Sequence, residues 1–393
     1  MASDGPYMSA DEAARALEVT VSTLYAYVSR KQIRSERIAG SRTRRYWRAD
    51  IERLRGGEAK GARDPGATLC AESAITLITD GGLYFRGKDA ITLAQHASLE
   101  SLAALLWQAD EATLFGTAPA DISDTWQAMR PSFAEVGILE RVVALYPLIE
   151  RADPRAYDLS PQGYARTGAD ALRWFATLLT KSSKPSTQPL HKFVAKSLKA
   201  PAGFDEIIRT LLVLSADHEL DPITFAVRAV ANVGVTPYQA VIAGVIASQG
   251  QRFQAERYGS CTRFLHEILT DKNGATAVVK RLRNGQPLPG FSATGPLSDA
   301  RTPAMMAALN NVLGRDRELA RLLAAEHTAR DASGVTMDFI LPALFVGHRL
   351  GLVGEELAVS GLGRVVGWIA HAMEQYHRNA LVRPRAAYVG PLP

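Results

Sequence analysis

The chain has 393 residues, which exceeds the usual size of one compact domain and predicts at least two. No run of about 18 apolar residues is free of charge, and no basic start precedes an apolar run, so the sequence predicts neither a membrane span nor a signal peptide. Two lone cysteines exclude a disulfide framework and a cysteine-rich zinc site. These features predict a cytoplasmic protein without a bound metal.

The net charge of +5 is unevenly distributed along the chain. Between Arg30 and Arg55, ten basic residues stand against three acidic ones, an excess larger than the net charge of the whole protein. A local basic cluster on a near-neutral protein indicates a polyanionic partner for that segment alone. Residues 56–67, which follow, contain glycine, proline and charge without an apolar period, which is typical of a linker.

The residues before this linker predict a small helical domain with a hairpin. Ser9 and Glu12 have the spacing of a helix-capping box, and an apolar face follows them. A second short helix is predicted around Leu24, and the loosely alternating segment 33–47 is typical of a hairpin. Asp50 is then in position to cap a last helix.

The order of residues within 1–55 resembles the helix-turn-helix of MerR and excisionase-type DNA-binding domains, through the segments Tyr7–Ala14, Leu17–Val19, Ser22–Val28 and Ile33–Ser35. The resemblance implies that the second helix enters the major groove and that the hairpin forms a wing along the DNA backbone. Hydroxyls near a helix start can bind phosphates or base edges, and arginines on a wing gain from counterion release. The residues expected to contact DNA are Ser22, Thr23, Tyr25, Tyr27, Arg42, Arg44, Arg45 and Arg48.

This basic segment also has an alternative interpretation, a solvated face on a protein-docking domain that has lost DNA binding. The coincidence of basic charge, turn spacing and wing favours DNA over docking. A single such domain makes few contacts, so we expect a dimer to place two copies on two half-sites.

The rest of the chain is predicted to be helical. Apolar residues recur at helical spacing in several segments, two of which are Val365-Ile369-Met373 and Val227-Val230-Val233. The one convincing strand signal is Ala74–Phe85, where β-branched residues precede the turn signal Asp80-Gly81-Gly82. Together these patterns predict an all-α fold with one small N-terminal hairpin.

Five segments of this region resemble, in order, the citrate synthase family. They are Ala74–Gly87, Ser101–Trp107, Ala216–Leu220, Ala332–Leu344 and Gly363–Arg385. The resemblance spans about residues 68–390 and implies the two-domain helical fold of that family. It places the large domain at 68–253 plus 346–393 and the small domain at 254–345, and it implies a homodimer.

The family condenses acetyl-CoA with oxaloacetate to citrate, a reaction that needs a carboxylate base, donors to a developing oxyanion and arginines that hold carboxylates. By matching motifs, Asp338 corresponds to the base and His218 to a histidine that contacts oxaloacetate. Arg301, Arg364 and Arg383 correspond to the carboxylate-binding arginines, with Arg383 reaching the other subunit's site. The expected ligands are a small di- or tricarboxylate and acetyl-CoA or another acyl-CoA as cosubstrate, with no permanently bound cofactor.

Two positions depart from the family pattern. Phe253 stands where the resemblance places the enol-stabilising histidine, and Ala293 stands where it places a second histidine. Losing one preorganised donor to an oxyanion costs roughly 3–4 kcal/mol of barrier, so we expect weak or absent citrate synthesis. His266 is too far along the chain to compensate. Other groups that could substitute are Ser292, Ser298, Arg252 and Gln254.

Each retained residue also has a structural interpretation. Asp338 precedes an apolar run and could cap a helix, and His218 could do the same after Asp217. Arg364 lies among apolar residues and needs an acidic partner, which is either a ligand or a carboxylate side chain.

Three functions remain open at the level of the sequence. The first is an acyltransferase of the citrate synthase family, acting on the usual or a different oxo acid and acyl-CoA. The second is a homodimer that has lost catalysis, binds citrate, oxaloacetate or acyl-CoA, and controls DNA binding through domain closure. The third is a subunit that pairs with an active homologue and modulates it.

Overall fold

The computed structural model of the chain describes residues 7–30, 33–38, 41, 43–57, 72–79, 82–119, 123–293 and 299–378. The described residues divide into two compact units: one includes those up to Glu72 together with Ile78, Thr79 and Gly82, and the other includes Ser73–Leu77 and those from Leu83 onward. We call the residues up to Glu72 the N-terminal module and the residues from Ser73 onward the body. Within these described ranges, no helix is long and apolar enough to cross a membrane.

The described part of the N-terminal module contains three helices and one antiparallel sheet. The helices are α1 (Ala10–Ala16), α2 (Val21–Arg30) and α3 (Arg48–Gly57), and the strands are β1 (Tyr7–Met8), β2 (Ser35–Arg37) and β3 (Arg44–Trp47). The sheet order is β1-β3-β2, with Tyr7 opposite Trp47 and Ser35 opposite Tyr46. The hairpin predicted over 33–47 is therefore confirmed, and β1, which the sequence did not predict, adds a third strand.

The predicted capping box at the start of α1 is confirmed. Ser9 Oγ accepts a hydrogen bond from the Glu12 N–H at 3.3 Å, and the Glu12 carboxylate accepts one from the Ser9 N–H at 2.8 Å. The capping prediction for Asp50 is wrong, because α3 already begins at Arg48. The buried Asp50 carboxylate instead accepts from the Arg34 backbone N–H at 2.8 Å and from Nε and Nη2 of the Arg34 guanidinium, each at 3.0 Å. This bidentate pair ties the start of the hairpin to α3.

The N-terminal module has a small core of its own. Side chains from all three helices and from β3 are buried together, namely Ala13, Ala14, Leu24, Ile33, Tyr46 and Ile51. Because α3 extends to Gly57, residues 56 and 57 of the predicted linker are helical, and its residues 58–67 lie outside the described ones.

The body is mostly helical in the residues that the structure describes, which confirms the predicted fold class. Its helices are α4 (Ala90–His96), α5 (Leu99–Trp107), α6 (Glu111–Phe115), α7 (Ser123–Met129), α8 (Ile138–Ala152), α9 (Pro161–Thr180), α10 (Leu190–Ser197), α11 (Phe204–Ser215), α12 (Pro222–Ala231), α13 (Pro237–Ser248), α14 (Gly259–Thr270), α15 (Ala275–Arg283), α16 (Arg301–Leu313), α17 (Arg317–Ser333), α18 (Ile340–Arg349) and α19 (Ala358–His377). The division of the body into a large domain (68–253 plus 346–393) and a small domain (254–345) stays a prediction.

The predicted N-terminal hairpin of the body corresponds to the strands β4 (Thr76–Thr79) and β5 (Gly82–Phe85). The first two residues of its turn, 80 and 81, lie outside the described residues. A third strand, β6 (Lys88–Asp89), pairs antiparallel with β5. A second, two-stranded sheet was not predicted; it consists of β7 (Phe291–Ala293) and β8 (Val335–Met337).

The core of the body is organised around α19, which packs against α5, α9, α11, α12 and α13. The face predicted from Val365, Ile369 and Met373 is buried, as expected. Two glycines allow α19 to approach the end of α11 closely. A Cβ atom on Gly363 would lie 2.5 Å from the Leu212 carbonyl oxygen, and one on Gly367 would lie 2.2 Å from that of Ala216.

The second predicted apolar face is only partly correct. Val227 is buried, but Val230 is 37% exposed and Val233 is 81% exposed. For Val233 the reason is that α12 ends at Ala231, so this residue no longer follows the helical period, whereas Val230 lies on the exposed side of the helix itself.

Candidate functional site

The candidate site in the body begins at the loop between α11 and α12. Asp217 is fully buried, and its carboxylate accepts from the Glu219 N–H at 3.1 Å, while Glu219 itself adopts a left-handed φ of 61°. Next to it, His218 is half-buried. Burial and then the nearby Arg301 guanidinium lower the pKa of His218 to about 4. His218 is therefore neutral at pH 7 and can donate one hydrogen bond and accept another.

Arg364 projects from α19 onto the start of α12. Its Nη2 donates to the Asp221 carboxylate and to Thr224 Oγ1 at 2.8 Å, and its Nη1 lies 3.5 Å from Asp217 Oδ1. The sequence left two kinds of acidic partner open for this arginine. In this structure, carboxylate side chains of the same chain fill that role.

Arg301 is the first residue of α16 and is held by a carboxylate two residues earlier. Its Nε lies 2.9 Å and 3.1 Å from the two oxygens of Asp299, and its Nη2 donates to the same side chain at 2.6 Å. The guanidinium also stacks 4.4 Å above the ring centroid of Phe339, the residue after Asp338. Arg301 therefore connects His218 with the Asp338 segment.

Asp338 is positioned by the unpredicted sheet. Because β7 pairs with β8, Ser292 lies opposite Thr336, and the Asp338 N–H donates to the Gly290 carbonyl oxygen at 2.8 Å. The Ser292 hydroxyl then donates to Asp338 Oδ1. The capping position of α18 is occupied by Phe339, so the helix-cap interpretation of the Asp338 side chain is wrong.

Two further ionisable groups, Tyr258 and Cys261, lie near these residues: Tyr258 near Arg364 and Cys261 near Asp338. Burial raises the pKa of the Tyr258 phenol; the Asp221 carboxylate acts in the same direction, whereas Arg257 and Arg364 act in the opposite one. Burial also raises the pKa of the Cys261 thiol to about 11, and Asp338 acts in the same direction. At that pKa, Cys261 is a thiol at pH 7 rather than a nucleophilic thiolate.

Behind the loop, a buried polar network leads away from the site. His371, which is fully buried, places Nε2 3.2 Å from Asp217 Oδ2 and Nδ1 3.1 Å from Arg228 Nη1. Because arginine can only donate, Nδ1 accepts, and Nε2 carries the proton that bonds to Asp217. Arg228 in turn donates to Glu374 at 2.6 Å, and Glu374 accepts from the Ala74 N–H at 2.8 Å. Although burial alone would raise the pKa of Asp217, His371 and Arg364 hold it below its ordinary value.

The structure thus brings His218, Arg301 and Arg364 together and links Asp338 to them. Ala293 is exposed and lies opposite Val335 in the β7–β8 pair. Arg383 and the Phe253 side chain lie outside the described residues, although residues 252–258 form a π-helical segment that leads into α14. Among the described residues, no cluster of histidine, cysteine and acidic side chains is arranged to hold a metal ion.

Because the pKa of His218 is lowered, we expect the free energy of unfolding to depend on pH in a specific way. As the pH falls below about 6.5, the unfolded chain binds a proton on His218, whereas the folded chain does so only near pH 4. The free energy of unfolding therefore falls progressively as the pH falls from about 6.5 to about 4. Between pH 7 and pH 5, we expect the wild type to lose about 2 kcal/mol more of its free energy of unfolding than His218→Asn does.

Urea denaturation of both proteins at the two pH values measures this difference. His266→Asn, which removes an exposed histidine, should follow the wild type. Equal losses in the wild type and in His218→Asn would mean that His218 is not shielded from solvent and charge as the structure indicates.

The residues predicted to bind DNA occupy the start of α2 and the hairpin of the N-terminal module. Thr20 Oγ1 accepts from the Thr23 N–H at 3.2 Å and shares hydrogen bonds with the hydroxyls of Ser22 and Thr23, both at 2.9 Å. The Thr20 hydroxyl therefore caps α2, while Ser22 stays exposed. Tyr25 is 57% exposed, and Tyr27 is half-buried on the same helix.

On the hairpin, Arg44 is exposed and donates to Ser35 Oγ at 2.9 Å. Arg45 pairs with Glu36 at 3.1 Å and stacks 4.2 Å above the Tyr7 ring centroid. Arg48 begins α3 and is half-buried, and Arg42 lies outside the described residues. Arg44 is therefore more accessible to a binding partner than Arg45 is.

Sequence reasoning missed the groups that neutralise the arginines. Asp221 and Asp299 each lie within three residues of a predicted site residue, and Ser292 was named only as a substitute donor. The proximity of Asp221 to His218 and of Asp299 to Arg301 was a usable signal. No local pattern marked His371, because its partner Asp217 is 154 residues away.

Comparison with known proteins identifies the family of each part of the chain. Residues 66–385 match the family described as citrate synthase, C-terminal domain, and residues 8–57 match the family described as MerR HTH family regulatory protein. Citrate synthase 2 of Bacillus subtilis (strain 168) is 23% identical over 363 residues, which cover 82% of this chain and 94% of that protein.

Two solved structures share the fold. Citrate synthase from Pyrobaculum aerophilum aligns with a TM-score of 0.69 and 19% identity, over 82% of this chain and 91% of that one. The ternary complex of carboxymethyl coenzyme A and oxaloacetate with citrate synthase from Thermoplasma acidophilum aligns with a TM-score of 0.60 and 17% identity, over 82% and 94%. At such identities the likeness shows the fold alone. Because the family match itself covers most of the chain, the protein belongs to the citrate synthase family and carries a MerR-type helix-turn-helix region at its N-terminus.

Proposed function

We propose that the body binds a small carboxylate ligand and an acyl-CoA, turns them over weakly or not at all, and controls DNA binding by the N-terminal module of a homodimer. The arrangement of His218, Arg301 and Arg364 supports the ligand class, since guanidinium groups match the geometry of planar carboxylates. The oxaloacetate and carboxymethyl coenzyme A held by the Thermoplasma acidophilum enzyme support it further.

The contact that carries the proposal of weak turnover is the hydrogen bond from Ser292 to Asp338. The proposed base has a serine hydroxyl as its partner, and in the described ranges no histidine lies within hydrogen-bond distance of it. The hydroxyl that donates to Oδ1 occupies a lone pair that would otherwise be open to a substrate proton. Phe253 and Ala293 supply no donor from the two positions where the family resemblance places histidines.

A thiol-release assay with acetyl-CoA and oxaloacetate tests this part of the proposal. We expect no release above background, together with a calorimetric binding signal for citrate or oxaloacetate. The second candidate function is an acyltransferase with an altered substrate, which the family match over residues 66–385 supports. Turnover with any member of a panel of 2-oxo acids and acyl-CoA esters would establish the acyltransferase and reject the loss of catalysis.

The hairpin of the N-terminal module supports DNA as the partner. In the β2–β3 register, Arg37 lies directly opposite Arg44, and both side chains are exposed. Like charges directly opposite each other on two strands are destabilising, and a polyanion relieves that repulsion.

A mobility-shift assay with and without citrate tests whether the ligand controls DNA binding. Equal DNA affinity at all ligand concentrations would reject the switch, even if DNA binds.

Arg44→Ala gives a specific prediction for DNA binding. If Arg44 neutralises one phosphate, its removal weakens binding to all sequences at low salt. The slope of log Kd against log salt should also fall by about 1 for each module bound. Fluorescence anisotropy with a labelled duplex at several salt concentrations measures both effects. Arg330→Ala, which removes the same charge from an exposed ion pair in the body, should leave the slope unchanged.

A further inference from the structure

We infer that Asp221 competes internally with ligand carboxylates for Arg364, and that it shifts the preference of the site towards ligands with one carboxylate instead of two. The inference rests on the proposed function, in which His218, Arg301 and Arg364 surround a small carboxylate ligand. It names the residue that sets the selectivity of that site.

The contacts of Arg364 show why a ligand meets competition. Nη2 is already bonded to Asp221 and to Thr224, and Nη1 faces Asp217. A guanidinium binds a carboxylate best through two parallel N–H groups, and here those groups have partners before any ligand arrives. A ligand carboxylate must therefore displace the Asp221 carboxylate or lie beside it, where like charges repel each other.

Asp221 cannot easily swing away, because its two oxygens have separate partners. Oδ1 accepts from the Thr224 N–H at 2.7 Å and caps α12, while Oδ2 accepts from Arg364. The cap fixes the side chain against the backbone of the first helical turn. The Asp221 side chain is nevertheless 32% exposed and that of Arg364 15% exposed, so the ion pair can be reached from solvent.

The second arginine of the site is neutralised in the same way. Arg301 is bound through Nε and Nη2 to Asp299, whose side chain is 27% exposed. Each carboxylate of a ligand that uses these arginines must therefore overcome one internal carboxylate. This competition grows with the number of carboxylates on the ligand, so it disfavours a dicarboxylate more than a monocarboxylate.

Asp221→Asn separates the charge from the cap. Asparagine caps helices about as well as aspartate, but it carries no charge to compete for Arg364. Calorimetry on the full chain compares oxaloacetate, which has two carboxylates, with pyruvate, which has one and the same 2-oxo group. We expect the variant to bind oxaloacetate roughly tenfold more tightly, in line with the strength of a charged hydrogen bond, and to gain less for pyruvate.

The chain offers a matched control in Asp316. It caps α17 by accepting from the Glu318 and Leu319 N–H groups at 3.0 Å, and it accepts from Arg349 at 2.7 Å. Asp316→Asn therefore makes the same chemical change at another cap with another arginine, and we expect no change in either affinity. Asp221→Ser, which also preserves a cap, should reproduce the gain with a differently shaped side chain.

The outcomes separate this inference from the proposed function. If oxaloacetate binds the wild type and Asp221→Asn with the same Kd, the inference is overturned, while the carboxylate site stands. If oxaloacetate and pyruvate gain equally, Asp221 does not set the selectivity. If neither protein binds either ligand, the proposed carboxylate site fails, and the inference fails with it.

Discussion

Replacing Asp217 with asparagine is expected to lower the free energy of unfolding by about 3 kcal/mol, because it removes one member of a buried charge network. Asp217 is fully buried and accepts from His371 and the Glu219 N–H, and it lies 3.5 Å from Arg364. Asparagine has nearly the same shape, so the loss measures charge and hydrogen bonding rather than packing. The variant also presents an NH₂ group to donors that need an acceptor.

Denaturant unfolding monitored by circular dichroism measures this loss. Asp331→Asn is a suitable control, since Asp331 pairs with His327 on an exposed helix face, and such pairs contribute at most about 1 kcal/mol. A loss below about 1 kcal/mol in Asp217→Asn would contradict the structure, because it would mean that Asp217 is solvated or unpaired.

The second large effect is expected from Gly367→Ala, which should lower the free energy of unfolding by about 3 kcal/mol through overpacking. The added Cβ would lie 2.2 Å from the Ala216 carbonyl oxygen and 2.6 Å from Asp217 Oδ1. The backbone oxygen cannot move without shifting the loop that carries Asp217 and His218. We therefore expect Gly367→Ala to weaken ligand binding as well as folding.

Gly361 provides the matched control on the same helix. A Cβ on Gly361 would meet only the Phe175 ring, at 3.9 Å, an ordinary contact distance. Because alanine favours a helix over glycine by about 1 kcal/mol, Gly361→Ala should be neutral or stabilising. Thermal unfolding of the two variants side by side tests the prediction. Equal stability of Gly361→Ala and Gly367→Ala would contradict the close approach of α19 to α11.

The sequence predicted most of the helical fold, because helical periodicity and capping are local. The capping box of Ser9 and Glu12 is complete within four residues, and the buried face of α19 follows a period of four. Where the same reasoning went wrong, a nonlocal contact or a helix end intervened. Val233 continues an apolar period but lies beyond the end of α12, and Asp50 pairs with Arg34 instead of capping.

The candidate site was only partly predictable, for a related reason. Family motifs identified His218, Arg301, Arg364 and Asp338, because each lies in a recognisable segment. The partners of these residues depend on tertiary geometry. The β7–β8 sheet consists of two three-residue strands about 40 residues apart, too short to give a strand signal, yet it determines that Ser292 meets Asp338.

One oxygen of Asp221 caps α12 and the other binds Arg364, and this separation has a consequence for how the protein can evolve. Aspartate, asparagine and serine start a helix almost equally well, so exchanges among them at position 221 keep the cap of α12. A protein that is only marginally stable can keep a substitution in its binding pocket only if the remaining stability still suffices for folding. An exchange of aspartate for asparagine at position 221 therefore alters the charge that an acidic ligand meets and keeps the start of α12, so ligand choice can change without the loss of that helix cap.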